Sequence, residues 1–136
     1  MNYLADTSAL VRILRRQVAE SWHEQITHGM VAICDPVLIE ALTIARTSEY
    51  QRVRADLLEI YPWVPVPDRA WETISSVQAQ LAAKSQHQGL SVADHLVVAT
   101  ALHHHLTILH EDADFATAAG IVHDIRQQRI MAGTVS

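Results

Sequence analysis

Five acids stand at four places along a 136-residue chain: Asp6, Glu40, Asp94, and the pair Asp112 and Asp114. Carboxylates gathered at one point repel each other or take up protons unless a cation shares them. Hard ions such as Mg²⁺ and Mn²⁺ prefer carboxylate and water oxygens, so they are the cations this set would attract. Ions of that kind activate water, hold a scissile phosphate and neutralise the leaving oxygen, so the chemistry the acids suit is hydrolysis of phosphate esters. Taken singly, most of them have a plainer use. Asp6 fits the N-cap of a following helix, Ser91 and Asp94 fit the S-x-x-D capping pattern, and Asp112 with Asp114 can cap a helix and complement its dipole. Glu40 does not fit that use. Its neighbours three and four positions away are Pro36, Val37, Thr43 and Ile44, and no Lys or Arg follows in its helix before Arg46. A carboxylate on such an apolar stripe is costly without a partner, which a shared cation would supply.

The elements that must position these acids follow from periodicity and breakers. Met1 to Thr7 runs apolar into Asp6 and predicts a short buried strand ending there, before a helix over about Ser8–Arg16. A polar helix near Ala19–His28 leads through Gly29 to a strand at Met30–Cys34, and Pro36 opens the helix that carries Glu40. Glu49–Ile60 continues helical, and Pro62, Pro65 and Pro67 force an extended passage holding Trp63, Val64 and Val66. Asp68 can cap a long helix reaching about Gln88 and ended by Gly89. Ser91–His104 reads as a helix, Leu106–Leu109 as a strand, and about Ala113–Ala119 as a short helix stopped by Gly120 before Ile121–Val122. Strands separated throughout by helices predict one α/β domain over residues 1–136, a parallel sheet flanked by helices on both faces in an α/β/α sandwich. The carboxyl ends of neighbouring parallel strands converge on one edge, where acids distant in sequence can meet.

Composition narrows the class. With 49% hydrophobic and 18% charged residues and only four Gly and four Pro, the chain is neither disordered nor fibrous. No apolar run approaches the roughly 18 residues that span a bilayer, and the first residues meet Asp6 and Arg12 without a small-residue cleavage site. A cytoplasmic protein with no membrane contact is expected. Cys34 is the single cysteine, so one chain can form neither an internal disulfide nor a cysteine-based zinc site. A formal charge of −5 argues against a nucleic-acid partner only if the acids are spread over the surface, because setting the five site acids aside leaves no net charge.

The segments Y-L-A-D-T-S-A-L, P-V-L-I-E-A-L around Glu40, L-S-V-A-D-H-L-V-V-A-T-A-L around Asp94 and L-T-I-L-H-E-D-A-D-F resemble the PIN-domain ribonucleases, most of all the VapC-type toxins of toxin–antitoxin pairs. The resemblance runs in order along essentially the whole chain, and the combination of four motifs carries it. It implies a PIN-like fold and an Mg²⁺- or Mn²⁺-dependent endoribonuclease that cuts RNA with metal-activated water, leaving 5′-phosphate and 3′-hydroxyl ends. It implies a cognate antitoxin as partner, and commonly a homodimer. By the resemblance Asp6, Glu40 and Asp94 are metal-site acids, with a fourth from Asp112 or Asp114, whose division of labour stays open. Thr7 or Ser8 would supply a hydroxyl ligand, with Ser91 in support. The chain departs from the pattern at Ala116, where many relatives carry another acid.

Arg12, Arg15 and Arg16 after Asp6, and Arg46, Arg52 and Arg54 after Glu40, offer cations for RNA phosphates or for an antitoxin's acids; a solvated face is the plain alternative. His103, His104 and His105 suit the end of a helix dipole better than a zinc site, and His110 is near enough to the acids to orient a phosphate. Trp22, Trp63 and Trp71 read as core or interface residues more readily than as stacking platforms for bases. Two rival functions remain. One is a PIN-like module that binds RNA or protein without cutting, its acids serving as caps. The other is a phosphatase using Asp6 as a nucleophile, which lacks the second aspartate two residues on, since position 8 is Ser.

Overall fold

In the computed structural model, which describes residues 1–131, a four-stranded parallel sheet runs in the order β2-β1-β3-β4. The strands are β1 (Tyr3–Ala5), β2 (Val31–Ala32), β3 (Thr107–His110) and β4 (Gln127–Arg129). Tyr3 pairs with Val31 on one side and Thr107 on the other, and Ile108 pairs with Gln127. Seven helices connect and cover them: α1 (Thr7–Leu14), α2 (Glu20–Thr27), α3 (Asp35–Ile44), α4 (Tyr50–Ile60), α5 (Ala70–Ala82), α6 (Val92–His104) and α7 (Ala113–Ile121). The expected α/β/α sandwich is present; positions 132–136 of the single domain expected over the chain lie outside the described residues.

Strands β1, β2 and β3 are buried along nearly all of their length, as a parallel sheet covered on both faces requires. Helix α1 seats Ala9, Leu10 and Ile13 against the sheet, and each large side chain contributes on the order of 2 kcal/mol of burial. Trp22 of α2 is fully buried edge-on to Tyr3 at 5.1 Å, so it is core, whereas Trp71 is exposed. Helix α6 buries residues nearly all round, from His95 to Ala101, and so runs through the middle of its layer with Asp94 at its first turn. The connection leaves β1 for β2 on one side and returns past β1 to β3 on the other. That reversal, with right-handed crossovers, sends successive connections to opposite faces and opens a crevice beyond the ends of β1 and β3.

Three boundaries differ from the sequence reading. Helix α5 starts at Ala70 without a side-chain cap from Asp68 and ends at Ala82, well before Gly89. Ser85 takes φ +56 and Gln86 N–H closes back onto the Leu81 carbonyl, which stops the helix. Helices α1 and α6 end the same way at Arg16 (φ +53) and His105 (φ +57), and only α2 uses glycine, Gly29 at φ +71. Third, α7 is not stopped by Gly120 but runs through it to Ile121, and the last strand forms at Gln127–Arg129, a polar stretch with no apolar alternation to announce it. The proline passage meets expectation, with Trp63 bridged to Ile33 beside β2.

Candidate active site

The crevice beyond β1 and β3 collects the acids. Asp6 follows β1 directly and is only 4% exposed. Its N–H donates to the Leu109 carbonyl at 3.0 Å, tying the end of β1 to β3. Its carboxylate is the N-cap of α1, accepting the Ala9 N–H at 2.9 Å, and it also accepts the Ser8 hydroxyl at 2.7 Å. Ser8 Oγ in turn accepts the Glu111 N–H at 2.9 Å, so one hydroxyl joins Asp6 to the segment after β3. Glu40, half-buried on α3, accepts the Thr7 hydroxyl at 2.6 Å. Its partner on the apolar stripe is therefore a neutral hydroxyl.

Asp94 and Ser91 form the capping box of α6, with Ser91 N–H donating to Asp94 Oδ2 at 3.0 Å and Asp94 N–H to Ser91 Oγ at 3.1 Å. Asp112 caps α7 by accepting the Asp114 N–H at 2.9 Å. The capping reading is realised at Asp6, Asp94 and Asp112, and these caps stand near enough for their charges to act on one another. Three helix N-termini, those of α1, α6 and α7, bring their caps together, and their partial positive ends soften the repulsion among the carboxylates. Among the described residues no hydrogen bond reaches Asp94 Oδ1 or Glu40 Oε2, whereas both oxygens of Asp6 accept from the Ser8 hydroxyl.

The acids sense each other. Burial pushes the Asp6 carboxyl up to about 6; the Ala9 N–H and the Ser8 hydroxyl pull against it, and the charges of Asp94 and Asp112 add to the rise. Asp94 is raised by burial and by the charges of Asp112 and Glu40, against the pull of its Ser91 cap. Asp114 is raised by burial and by Asp112. Asp112 acts on Asp6, Asp94 and Asp114, while Asp114 lies beside the loop that enters α6. A Cβ built on Gly89 would come within 2.9 Å of Asp114 Oδ1, so glycine there leaves room for the carboxylate beside the loop entering α6.

Among the described residues no three His, Cys, Asp or Glu side chains already converge as a metal-holding group. The donor chemistry nonetheless fits a hard divalent ion, since the clustered donors are carboxylate and hydroxyl oxygens and their mutual repulsion is what a cation relieves.

The remaining candidates are scattered. Arg12 lies one turn along α1, donates to the Ser8 carbonyl at 2.9 Å and acts on Glu111. Arg15 and Arg16 lie at the far end of α1, roughly 13 Å along its axis from Asp6. With Arg52, Glu49 and Asp56 they line a separate groove of about 510 Å³ between α1, α3 and α4. Arg46 is exposed beyond α3. His110, expected to face a phosphate, is instead fully buried with both ring nitrogens engaged: Nδ1 accepts the Asp112 N–H at 2.9 Å, so Nε2 carries the proton and donates to Gln127 Oε1 at 2.6 Å. Burial lowers its pKa. Sequence reasoning passed over Glu111, Gln127 and Arg129. Arg129 donates to Glu111 Oε2 at 3.0 Å and the Met131 N–H to Oε1 at 3.0 Å, which hold Glu111 below the usual carboxylate range against the upward push of burial.

Four likenesses accompany this geometry. The PIN domain family profile matches residues 3–121. Ribonuclease VapC6 of Mycobacterium tuberculosis is 36% identical over 103 residues, 75% of this chain and 81% of that protein. VapBC2 from Rickettsia felis, solved bound to a DNA fragment from its promoter, superposes with a TM-score of 0.74 at 14% identity, covering 95% of this chain and 98% of the other. VapBC-5 from Mycobacterium tuberculosis, a member of a family of toxin–antitoxin systems, gives 0.64 at 21% identity over 96% and 98%, and both of these likenesses concern the fold.

Proposed function

The chain belongs to the PIN-domain family, and from that premise we propose that it is the toxin of a toxin–antitoxin pair, an endoribonuclease that hydrolyses RNA phosphodiester bonds at the acid cluster with Mg²⁺ or Mn²⁺. The observation that carries this reading is the buried Asp6 carboxyl facing the charges of Asp94 and Asp112 at the crevice where the strand order reverses, which together with burial raise it to about 6. Asp6, Glu40, Asp94 and Asp112 would hold the ion, with Asp114 outside them. A divalent ion in such a set activates water and neutralises charge on the phosphate.

The chain's own groups supply positioning. Thr7 orients Glu40, Ser8 holds Asp6 against the Glu111 backbone, and Ser91 fixes the Asp94 rotamer. Arg12, anchored on the Ser8 carbonyl beside the cluster, is the cation best placed to meet an RNA phosphate. Arg15, Arg16 and Arg52 face the groove between α1, α3 and α4, whose walls include Val11, Leu14 and Ile44; this mixture suits an antitoxin segment with apolar and acidic side chains. Ile39 and Val92, exposed beside Glu40 and Ser91, suit contact with a second copy of the chain.

Purified protein freed of antitoxin should cut RNA with Mg²⁺ or Mn²⁺, stop in EDTA, and leave 5′-phosphate and 3′-hydroxyl ends. Undiminished cutting in EDTA would refute the mechanism. Failure to cut any RNA in Mn²⁺, together with no saturable Mn²⁺ binding, would favour the binding module for which the three capping interactions also speak.

A further inference from the structure

Strand β4 is polar, lies at the sheet edge and falls outside the residues that match the family profile, yet two of its side chains reach back to the segment bearing Asp112. We propose that Gln127 and Arg129 are positioning residues that hold the acid cluster in register through His110 and Glu111. Two parallel relays carry the coupling. In the first, Gln127 Oε1 accepts the proton of His110 Nε2, which keeps Nδ1 unprotonated and able to accept the Asp112 N–H. The ring is held on a further side by Phe115, 5.2 Å away between centroids and itself buried. In the second, Arg129 and the Met131 N–H grip the Glu111 carboxylate, while the Glu111 N–H donates to Ser8 Oγ, the hydroxyl that also binds Asp6. Side chains 110 and 111 thus point to β4 while the surrounding backbone meets Asp112 on one side and the Ser8–Asp6 pair on the other. The half-exposed edge position of β4 admits polar residues, and the two converging relays give Gln127 and Arg129 specific partners there.

The inference rests on the proposed metal site, and its test separates the two. Gln127→Leu keeps the side chain's bulk but removes the acceptor, freeing the imidazole to turn or change tautomer. Partners that orient metal-site groups at one remove change metal affinity by roughly tenfold or more, so Mn²⁺ affinity measured by calorimetry should fall about tenfold in this variant. The Asp112 amide should also lose protection from hydrogen exchange, a readout that needs neither metal nor RNA. RNA cleavage should lose kcat at subsaturating Mn²⁺ while KM for RNA stays put. Leu81→Ala, a buried change on α5, serves as the destabilised control and should leave Mn²⁺ affinity and Asp112 exchange unchanged. His110→Asn, whose Oδ1 can still accept the Asp112 N–H in an Asx turn, should restore much of the Asp112 protection that His110→Leu loses. Wild-type affinity and protection in Gln127→Leu, or equal weakening in Leu81→Ala, would overturn the relay. Absence of saturable Mn²⁺ binding in the unsubstituted protein would overturn the metal site instead, leaving amide exchange to decide the relay.

Discussion

The two strand ends that frame the crevice hold their acids by different means. After β1, the groups that bind the Asp6 carboxylate directly lie within three residues: its own helix supplies Ala9 N–H and Ser8 supplies the hydroxyl, while the longer-range ties run through the Asp6 backbone to Leu109 and through Ser8 to Glu111. After β3, Asp112 also caps its own helix, but its backbone is held by an imidazole whose other nitrogen depends on Gln127, seventeen positions beyond His110. One carboxylate is gripped directly by near neighbours, while the backbone of the other leans on a distant edge strand. A site built this way has one half set by short-range chemistry and one half adjustable through tertiary contacts.

The contrast breaks most sharply at Asp6. Asp6→Asn keeps an oxygen for the Ala9 N–H but removes the charge, so RNA cleavage should fall by roughly three orders of magnitude, about 4 kcal/mol at the transition state. Metal-free stability should move the opposite way. An Asp6 carboxyl raised from 3.8 to about 6 favours folding fully below its unfolded value and loses that contribution as pH rises through 6. The asparagine variant should therefore be more stable than the parent by about 2–3 kcal/mol at pH 7, an advantage that vanishes as pH falls toward 4. Urea melts of both proteins in EDTA across that window check it, and differencing removes the opposing effect of buried His95 and His110, whose pKa values are lowered. An advantage that stays flat with pH would mean that Asp6 titrates normally.

A smaller effect falls where the two halves meet. Ser8→Ala removes the hydroxyl between Asp6 and the Glu111 N–H and should cost about 1–2 kcal/mol in thermal or urea melts, together with weaker Mn²⁺ binding. If the two strand ends were independent, combining Ser8→Ala with Gln127→Leu would give additive losses of Mn²⁺ affinity; coupling through the Glu111 segment predicts that they are not additive.

How much of this was legible follows the same division. Asp6, Asp94 and Asp112 sit in capping patterns written within three or four residues, so their elements and their convergence could be read from motifs and strand ends. Glu40 could be singled out from its apolar neighbours, though its Thr7 partner, 33 positions away, could not. The helper side chains Glu111, Gln127 and Arg129 follow no period, and a three-residue polar strand leaves no alternation to detect. Helix ends were misplaced where the left-handed residue is Ser85 and not glycine, because the usual stop signal is absent. Ser85→Gly should relieve that conformation and raise stability by about 0.5–1 kcal/mol without altering cleavage, the smallest change among these and one confined to a region remote from both strand ends.

The pairing of Tyr3 with Thr107 has a consequence for the growing polypeptide. During translation Asp6 and Glu40 emerge long before the strand that must lie beside them, and the residues fastening that strand emerge later still. Until β3 and β4 have left the ribosome the acids have no common crevice, so on the proposed function a nascent chain would lack the assembled centre with which to attack the message that encodes it.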